Sequence, residues 1–196
     1  MFNRTKTTIA LAVAAVAMIG GPAAASASAS NFGADVKPDV QPSNAGTPHD
    51  CNGFEGKTCT WVLNDAYGNP GGEKAPEDGK LKQIKLIAGA PGSFKLQLVK
   101  VTNNQKAKVV TQGPRIRYDG QTGPDDGSYD VEKFKVDVPV HEGEQIAIKT
   151  KKTSTLRCSS GGDNTLLYNP ALKVGNALQS LGSDDGCWLL IEGKIK

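Results

Sequence analysis

Histidine is scarce in this chain, which holds only His49 and His141 among 196 residues. Nucleophilic or general-base catalysis needs a proton acceptor beside the reacting group, and neither histidine falls in a recognisable catalytic motif. G-x-S-x-G and H-E-x-x-H are both absent. Gly56, Lys57 and Thr58 imitate the end of a phosphate loop, but Cys51 stands where its first glycine belongs. Aromatic residues make up 6%, too few for a dense stacking stripe. No C-x2-C pair occurs, so the usual zinc spacing is missing, and a zinc site would have to recruit His49 and His141. No long segment keeps a helical apolar period, which excludes a coiled coil or a helical bundle. No internal repeat is evident.

What is present begins with an export signature. Arg4 and Lys6 precede an apolar run from Ile9 to Ile19, and Ala23 to Ser30 (A-A-A-S-A-S-A-S) offers several small-x-small cleavage sites. Residues 1–29 therefore read as a secretory signal peptide, cleaved after Ala27 or Ala29. The alternative is a membrane anchor, but the run is about half of the ~20 residues a spanning helix needs. The first cysteine, Cys51, is far from the cleavage region, which argues against a lipid anchor. No later segment is apolar enough to span, so the expected product is soluble and extracellular. The first 29 residues contain no Asp or Glu; without Arg4 and Lys6, 21 basic residues face 20 acidic ones, and the formal charge falls from +3 to +1. That removes a strong electrostatic case for nucleic acid. Lys80, Lys82, Lys85, Lys95, Lys100, Lys133 and Lys135 read as scattered along strands between apolar positions, as on a solvated sheet face, not clustered for phosphate.

The four cysteines, Cys51, Cys59, Cys158 and Cys187, are even in number in an exported chain, so an oxidised framework is expected. Three connectivities exist. Cys51 with Cys59 and Cys158 with Cys187 is favoured, because each pair flanks a polar, glycine-containing segment that leads into an apolar strand. Loop closure is worth roughly 2.6 kcal/mol for the shorter loop and roughly 3.6 kcal/mol for the longer.

The clearest strand pattern is Val131 to Thr150. Phe134, Val136 and Val138 alternate with Lys133, Lys135 and Asp137, and Ile146 and Ile148 resume the alternation after a polar turn holding Gly143. The stretch reads as a β-hairpin. Thr58 to Leu63, Leu81 to Ala88, Ser93 to Thr102 and Lys108 to Arg117 are further strands, the last with a bulge or edge position at Gly113 and Pro114. Gly89 to Gly92 predicts a second hairpin, between the strands at 81 and 93. Ser30 to Asp50, with Pro38, Pro42 and Pro48, reads as a flexible leader, and 51–196 as the folded domain. Lys151 to Gly186 is the least legible part, with room for a short helix. Cys187 to Ile195 reads as one closing strand. Seven to nine short strands punctuated by turns predict an all-β fold: a two-sheet antiparallel β-sandwich, jelly-roll-like, with long Gly/Pro/Asp loops.

A-P-E-D-G at Ala75 to Gly79, F-K-L-Q-L at Phe94 to Leu98 and P-V-H-E-G-E-Q-I at Pro139 to Ile146 resemble the pattern of uncharacterised secreted actinobacterial proteins with β-sandwich domains. The resemblance covers Cys51 to Lys196. It implies a sandwich fold and supplies no catalytic residues.

Loop residues are the candidates for function. Tyr67, Tyr118 and Tyr129 lie in loops and suit carbohydrate contact, whereas Trp61 and Trp188 sit next to cysteines in apolar strands and suit the core. Asp125, Asp126 and Asp130 lie in a glycine-rich loop whose oxygens suit structural calcium, without EF-hand spacing. Paired carboxylates such as Glu142 with Glu144 suit a glycosidase on paper, but adjacent acids in turns are ordinarily solvated. The leading expectation is a secreted, non-enzymatic binding module for carbohydrate, cell-envelope or protein ligands, with no cofactor. A secreted hydrolase or a structural envelope protein is the second.

Overall fold

Each alternating segment can hide only one of its two faces, and the chain settles into strands that share one core. The structure, a computed structural model, describes residues 29–38, 51, 58–66, 68–69, 72–121, 129–150, 158–175 and 177–196, with side chains for all but 158–164 and 184–188. Among these residues it has no helix and ten strands: β1 (Ser30–Gly33), β2 (Cys59–Leu63), β3 (Gly79–Leu86), β4 (Gly92–Val101), β5 (Ala107–Tyr118), β6 (Glu132–Val140), β7 (Gln145–Thr150), β8 (Cys158–Tyr168), β9 (Ser183–Leu189) and β10 (Ile191–Ile195). They form two antiparallel sheets, a four-stranded one in the order β1-β10-β3-β6 and a six-stranded one in the order β5-β4-β7-β2-β8-β9. The two-sheet β-sandwich expected from the sequence is the fold.

Phe32, Leu81, Ile84, Leu86, Val138, Val140, Ile191 and Ile195 face Trp61, Leu63, Phe94, Leu96, Leu98, Ile146 and Ile148 across the sandwich, all buried in a single cluster. Full burial of each such side chain is worth about 1.5–3 kcal/mol. Cys51 and Cys59 are bonded within the same cluster, their Cα atoms 5.9 Å apart. The side chains of Cys158 and Cys187 lie outside the described ones. The ladder pairs Cys158 with Leu189 and Cys187 with Ser160.

Five local expectations are overturned. Val131 to Thr150 is no hairpin: β6 pairs with β3 in one sheet, and β7 pairs with β4 and β2 in the other. The Gly89 to Gly92 turn likewise carries the chain from β3 in one sheet to β4 in the other. Both connections are arches across the core, and alternation could not distinguish them from hairpins because either arrangement buries the same apolar residues. Gly143 does turn with φ 78°, and the hairpin partner of β4 is β5, not β3. The leader is not flexible at its start, since β1 pairs with β10 and buries Phe32 completely; residues 39–50 lie outside the described ones. Of the stretch from Lys151 to Gly186, the described residues hold β8 and the first part of β9 in place of a helix, while 151–157 and 176 lie outside the described ones. Finally, Cys187 to Ile195 is not one strand, for Leu190 separates β9 from β10 and the two lie in different sheets.

Residues 169–175 and 177–182 lie on the outer face of the six-stranded sheet as a strap. Leu172 and the half-buried Leu181 pack there on Val62, Val99, Ala107, Val109, Ala147, Leu166 and Tyr168. Buried polar groups hold the strap in place. The Thr60 hydroxyl donates to Gln97 Oε1 at 3.2 Å and accepts from the Leu172 N–H at 3.0 Å, while Gln97 Nε2 donates to the Leu172 carbonyl at 3.5 Å. Ala107 and Gln179 exchange backbone hydrogen bonds at 3.0 and 2.8 Å. Unsatisfied buried partners are expensive, so Gln97→Ala is expected to lower unfolding free energy by about 1–3 kcal/mol. Urea denaturation measures that loss, and hydrogen exchange at the Leu172 amide should rise with it; unchanged values for both would show that the network does not secure the strap.

Candidate anion-binding face

The four-stranded sheet turns its other face to solvent, and the strand period decides what appears there. With Leu81, Ile84, Leu86, Val138, Val140, Ile191 and Ile195 directed to the core, the alternate positions point outward: Lys80, Lys82 and Lys85 on β3, Lys133 and Lys135 on β6, and Lys194 on β10, followed by Lys196. Register converts these into rows. Glu192, Lys85 and Lys133 stand opposite one another across β10, β3 and β6, and so do Lys194, Gln83 and Lys135. Lys80 and Lys196 exchange backbone hydrogen bonds at 3.2 and 3.0 Å.

Lysines that look scattered along the chain are thus gathered on one face, correcting the expectation of an unclustered distribution. A signal was available in the sequence: Lys80-Leu81-Lys82, Lys133-Phe134-Lys135 and Lys194-Ile195-Lys196 are three K-x-K segments. Nothing local says that their strands are neighbours.

Two carboxylates partly balance the face. Asp137 lies 2.5 Å from Lys82 Nζ and 3.5 Å from Lys80 Nζ, and the Lys82 hydrogen bond holds its carboxyl below the usual range. Glu192, with its side chain only 3% exposed, accepts from Lys85 Nζ at 2.8 Å and from the Val36 N–H at 3.3 Å. Among the described residues, Lys133, Lys135, Lys194 and Lys196 have no carboxylate within ion-pair distance. Lys85 and Lys133 are directly opposite, and like charges so placed are destabilising. Lys82, Gln83, Lys135, Val136, Lys194 and Lys196 line a shallow depression of about 390 Å³ in this face.

The tyrosine and aspartate candidates separate. Tyr118 is only 2% exposed and packs on Phe94 with ring centroids 6.0 Å apart. It is a core residue, not a ligand platform, because it ends β5 facing inward and its phenol lies over Gly92. Tyr129 is half-buried and lines a groove at the edge of the lysine face together with Lys85 and Lys133. Tyr67, Asp125 and Asp126 lie outside the described residues. Asp130 also borders the groove, its N–H donating to Gln121 Oε1 at 2.8 Å. Among the described residues, no three Asp, Glu, His or Cys side chains assemble in a way that would hold a cation.

His141 sits at the β6–β7 arch with Nδ1 3.6 Å from Asp78 Oδ1. Asp78 is 76% exposed and already accepts the Glu142 N–H at 2.8 Å. Among the described residues no serine, threonine or cysteine hydrogen-bonds to His141, so the pair lacks a nucleophile there. Glu144 is fully buried beside it, accepting the His141 N–H at 3.1 Å through Oε2, while Oε1 has no hydrogen-bond partner among the described residues.

Comparison with protein-family models, curated proteins and solved structures returns no match for this chain.

Burial raises the Glu144 pKa, against the opposing His141 N–H. Its folded pKa therefore exceeds its unfolded one, so its contribution is fully present below the ordinary carboxylate value near 4.5 and is lost as pH rises through the raised folded value. Glu144→Gln should flatten that portion of the stability–pH curve and stabilise the protein at neutral pH, as measured by denaturation from pH 4 to 8. A parallel shift of the whole curve would contradict the assignment to Glu144.

Proposed function

We propose that this chain is an exported, non-catalytic β-sandwich that binds an acidic polysaccharide, at the cell envelope or beyond it, across the outer face of β10, β3 and β6. The observation that carries the reading is the set of three K-x-K segments on three adjacent strands, most of their ammonium groups without a carboxylate among the described residues. Lysines at every second residue of a strand stand about 6.8 Å apart, and those on neighbouring strands about 4.8 Å. A repeating anion on an extended chain can therefore meet several in succession. On the other sheet the strap covers the apolar part of the outer face and leaves a single basic row, Lys149, Lys95 and Arg115.

Export is supported by the signal-like start of the chain and by the Cys51–Cys59 disulfide, which persists in oxidising compartments. A second disulfide between Cys158 and Cys187 belongs to the same proposal. Polysaccharide is favoured over a membrane surface because the large exposed hydrophobics among the described residues, Val110, Val174 and Leu178, lie away from the lysine face, and Phe134 and Val136 pack against the core. It is favoured over duplex nucleic acid because the strand face has no arginine fork to read bases.

Retention of the purified protein on alginate and on neutral dextran of similar length, at two salt concentrations, tests the reading. Binding to alginate alone, weakening as salt rises, is expected. Each lysine near an anionic surface is worth about 1 kcal/mol, so the combined change Lys133→Gln, Lys135→Gln and Lys194→Gln should weaken alginate binding by about a hundredfold. It should leave the melting temperature nearly unchanged. Equal binding to dextran, or stronger binding to anionic vesicles or duplex DNA, would sink the proposal.

A further inference from the structure

Where the lysine rows end, beside Lys85 and Lys133, the surface is not flat. The segment after β1 and the segment entering β6 rise on either side of a groove of about 500 Å³, within the range of small-ligand pockets. Val36 and Pro38 form one wall, Tyr129 and Val131 the other, and Lys85 and Lys133 supply the charge.

The walls are tied together. The Tyr129 N–H donates to the Pro38 carbonyl at 2.9 Å, the Ala34 N–H to the Ile191 carbonyl at 2.9 Å, and the Ile87 N–H to the Leu190 carbonyl at 3.2 Å. Beneath them Ala34, Val36, Ile87 and Leu190 form a separate buried cluster against which Tyr129 and Val131 pack. Glu192 joins the parts electrostatically, since one oxygen takes the Lys85 ammonium and the other the Val36 N–H. This second small core holds the Tyr129 ring and the Lys85 ammonium in place before any ligand arrives. Preorganisation of that kind reduces the ordering cost of binding.

We infer that the groove seats one uronate residue of the bound polysaccharide, with its ring on the Tyr129 phenol and its carboxylate on Lys133. The inference rests on the acidic-polysaccharide reading and deepens it: the sheet supplies charge, and the groove supplies selectivity for a sugar over other polyanions. Lys133 is the receiving cation because Lys85 is engaged by Glu192 and Lys37 lies 2.5 Å from Asp35. Asp130 lines the rim of the same groove.

Titration of the full protein with a short glucuronate oligomer and with polyphosphate of equal charge separates the two ideas. Tyr129→Ala should weaken the uronate oligomer about tenfold, the scale of one stacking contact, and leave polyphosphate unaffected. Tyr129→Leu, which keeps apolar bulk on the small core, should behave the same and guards against misfolding of the alanine variant. Lys133→Gln should weaken both ligands. Equal loss of both ligands on Tyr129→Leu, or no loss of either, would overturn the groove assignment while polyphosphate binding to the lysine face still stood. Failure of the parent protein to bind either ligand would instead defeat the broader reading.

Discussion

The constraint on which this structure depends is that every strand of both sheets must give its apolar face to one shared core. Desolvating Leu, Ile and Phe side chains from both sheets supplies the main driving force for closure, and a slip of one residue in any strand would turn its whole apolar set outward. The chain meets the constraint by crossing between sheets at 87–91, at 141–144 and at Leu190, so strands adjacent in sequence often face each other across the core instead of lying side by side. Register and crossing together dictate which polar residues reach the outside.

The two outer faces are treated differently. On the six-stranded sheet an apolar surface remains after the core is filled, and the strap covers it with Leu172 and Leu181 while Thr60 and Gln97 satisfy the strap's buried backbone. On the four-stranded sheet the surface is charged and is left to solvent. Repulsion between two ammonium groups in water is about 1 kcal/mol at 4 Å and falls off within a Debye length of about 8 Å at physiological ionic strength. A sandwich with this much buried surface tolerates that. Asp137 and Glu192 set the lysine side chains in place without cancelling the field.

Tyrosine position shows how far tertiary context governs chemistry. Tyr118 and Tyr129 both border the glycine-rich loop that follows β5, yet the first closes the main core and the second stands in a groove over a separate small cluster. Their difference comes from strand parity at the end of β5, against an entry into β6 that is tied to Pro38. Glu192 is a comparable case, a carboxylate on a buried strand whose role is visible only beside Lys85 and Val36.

The all-β class, the two-layer architecture, the core positions of Phe94, Ile146 and Ile148 and the Gly143 turn were legible in the sequence, because they depend on residue spacing within a few positions. Tertiary structure alone decided that Phe134 and Ile146 lie in opposite sheets, that 30–33 joins the domain, and that Lys80, Lys133 and Lys194 share a face. Alternation records which side of a strand is buried and carries no label for its neighbour. Strand partners are chosen by the packing of the whole core, so a face assembled from three distant segments does not exist until the chain has folded.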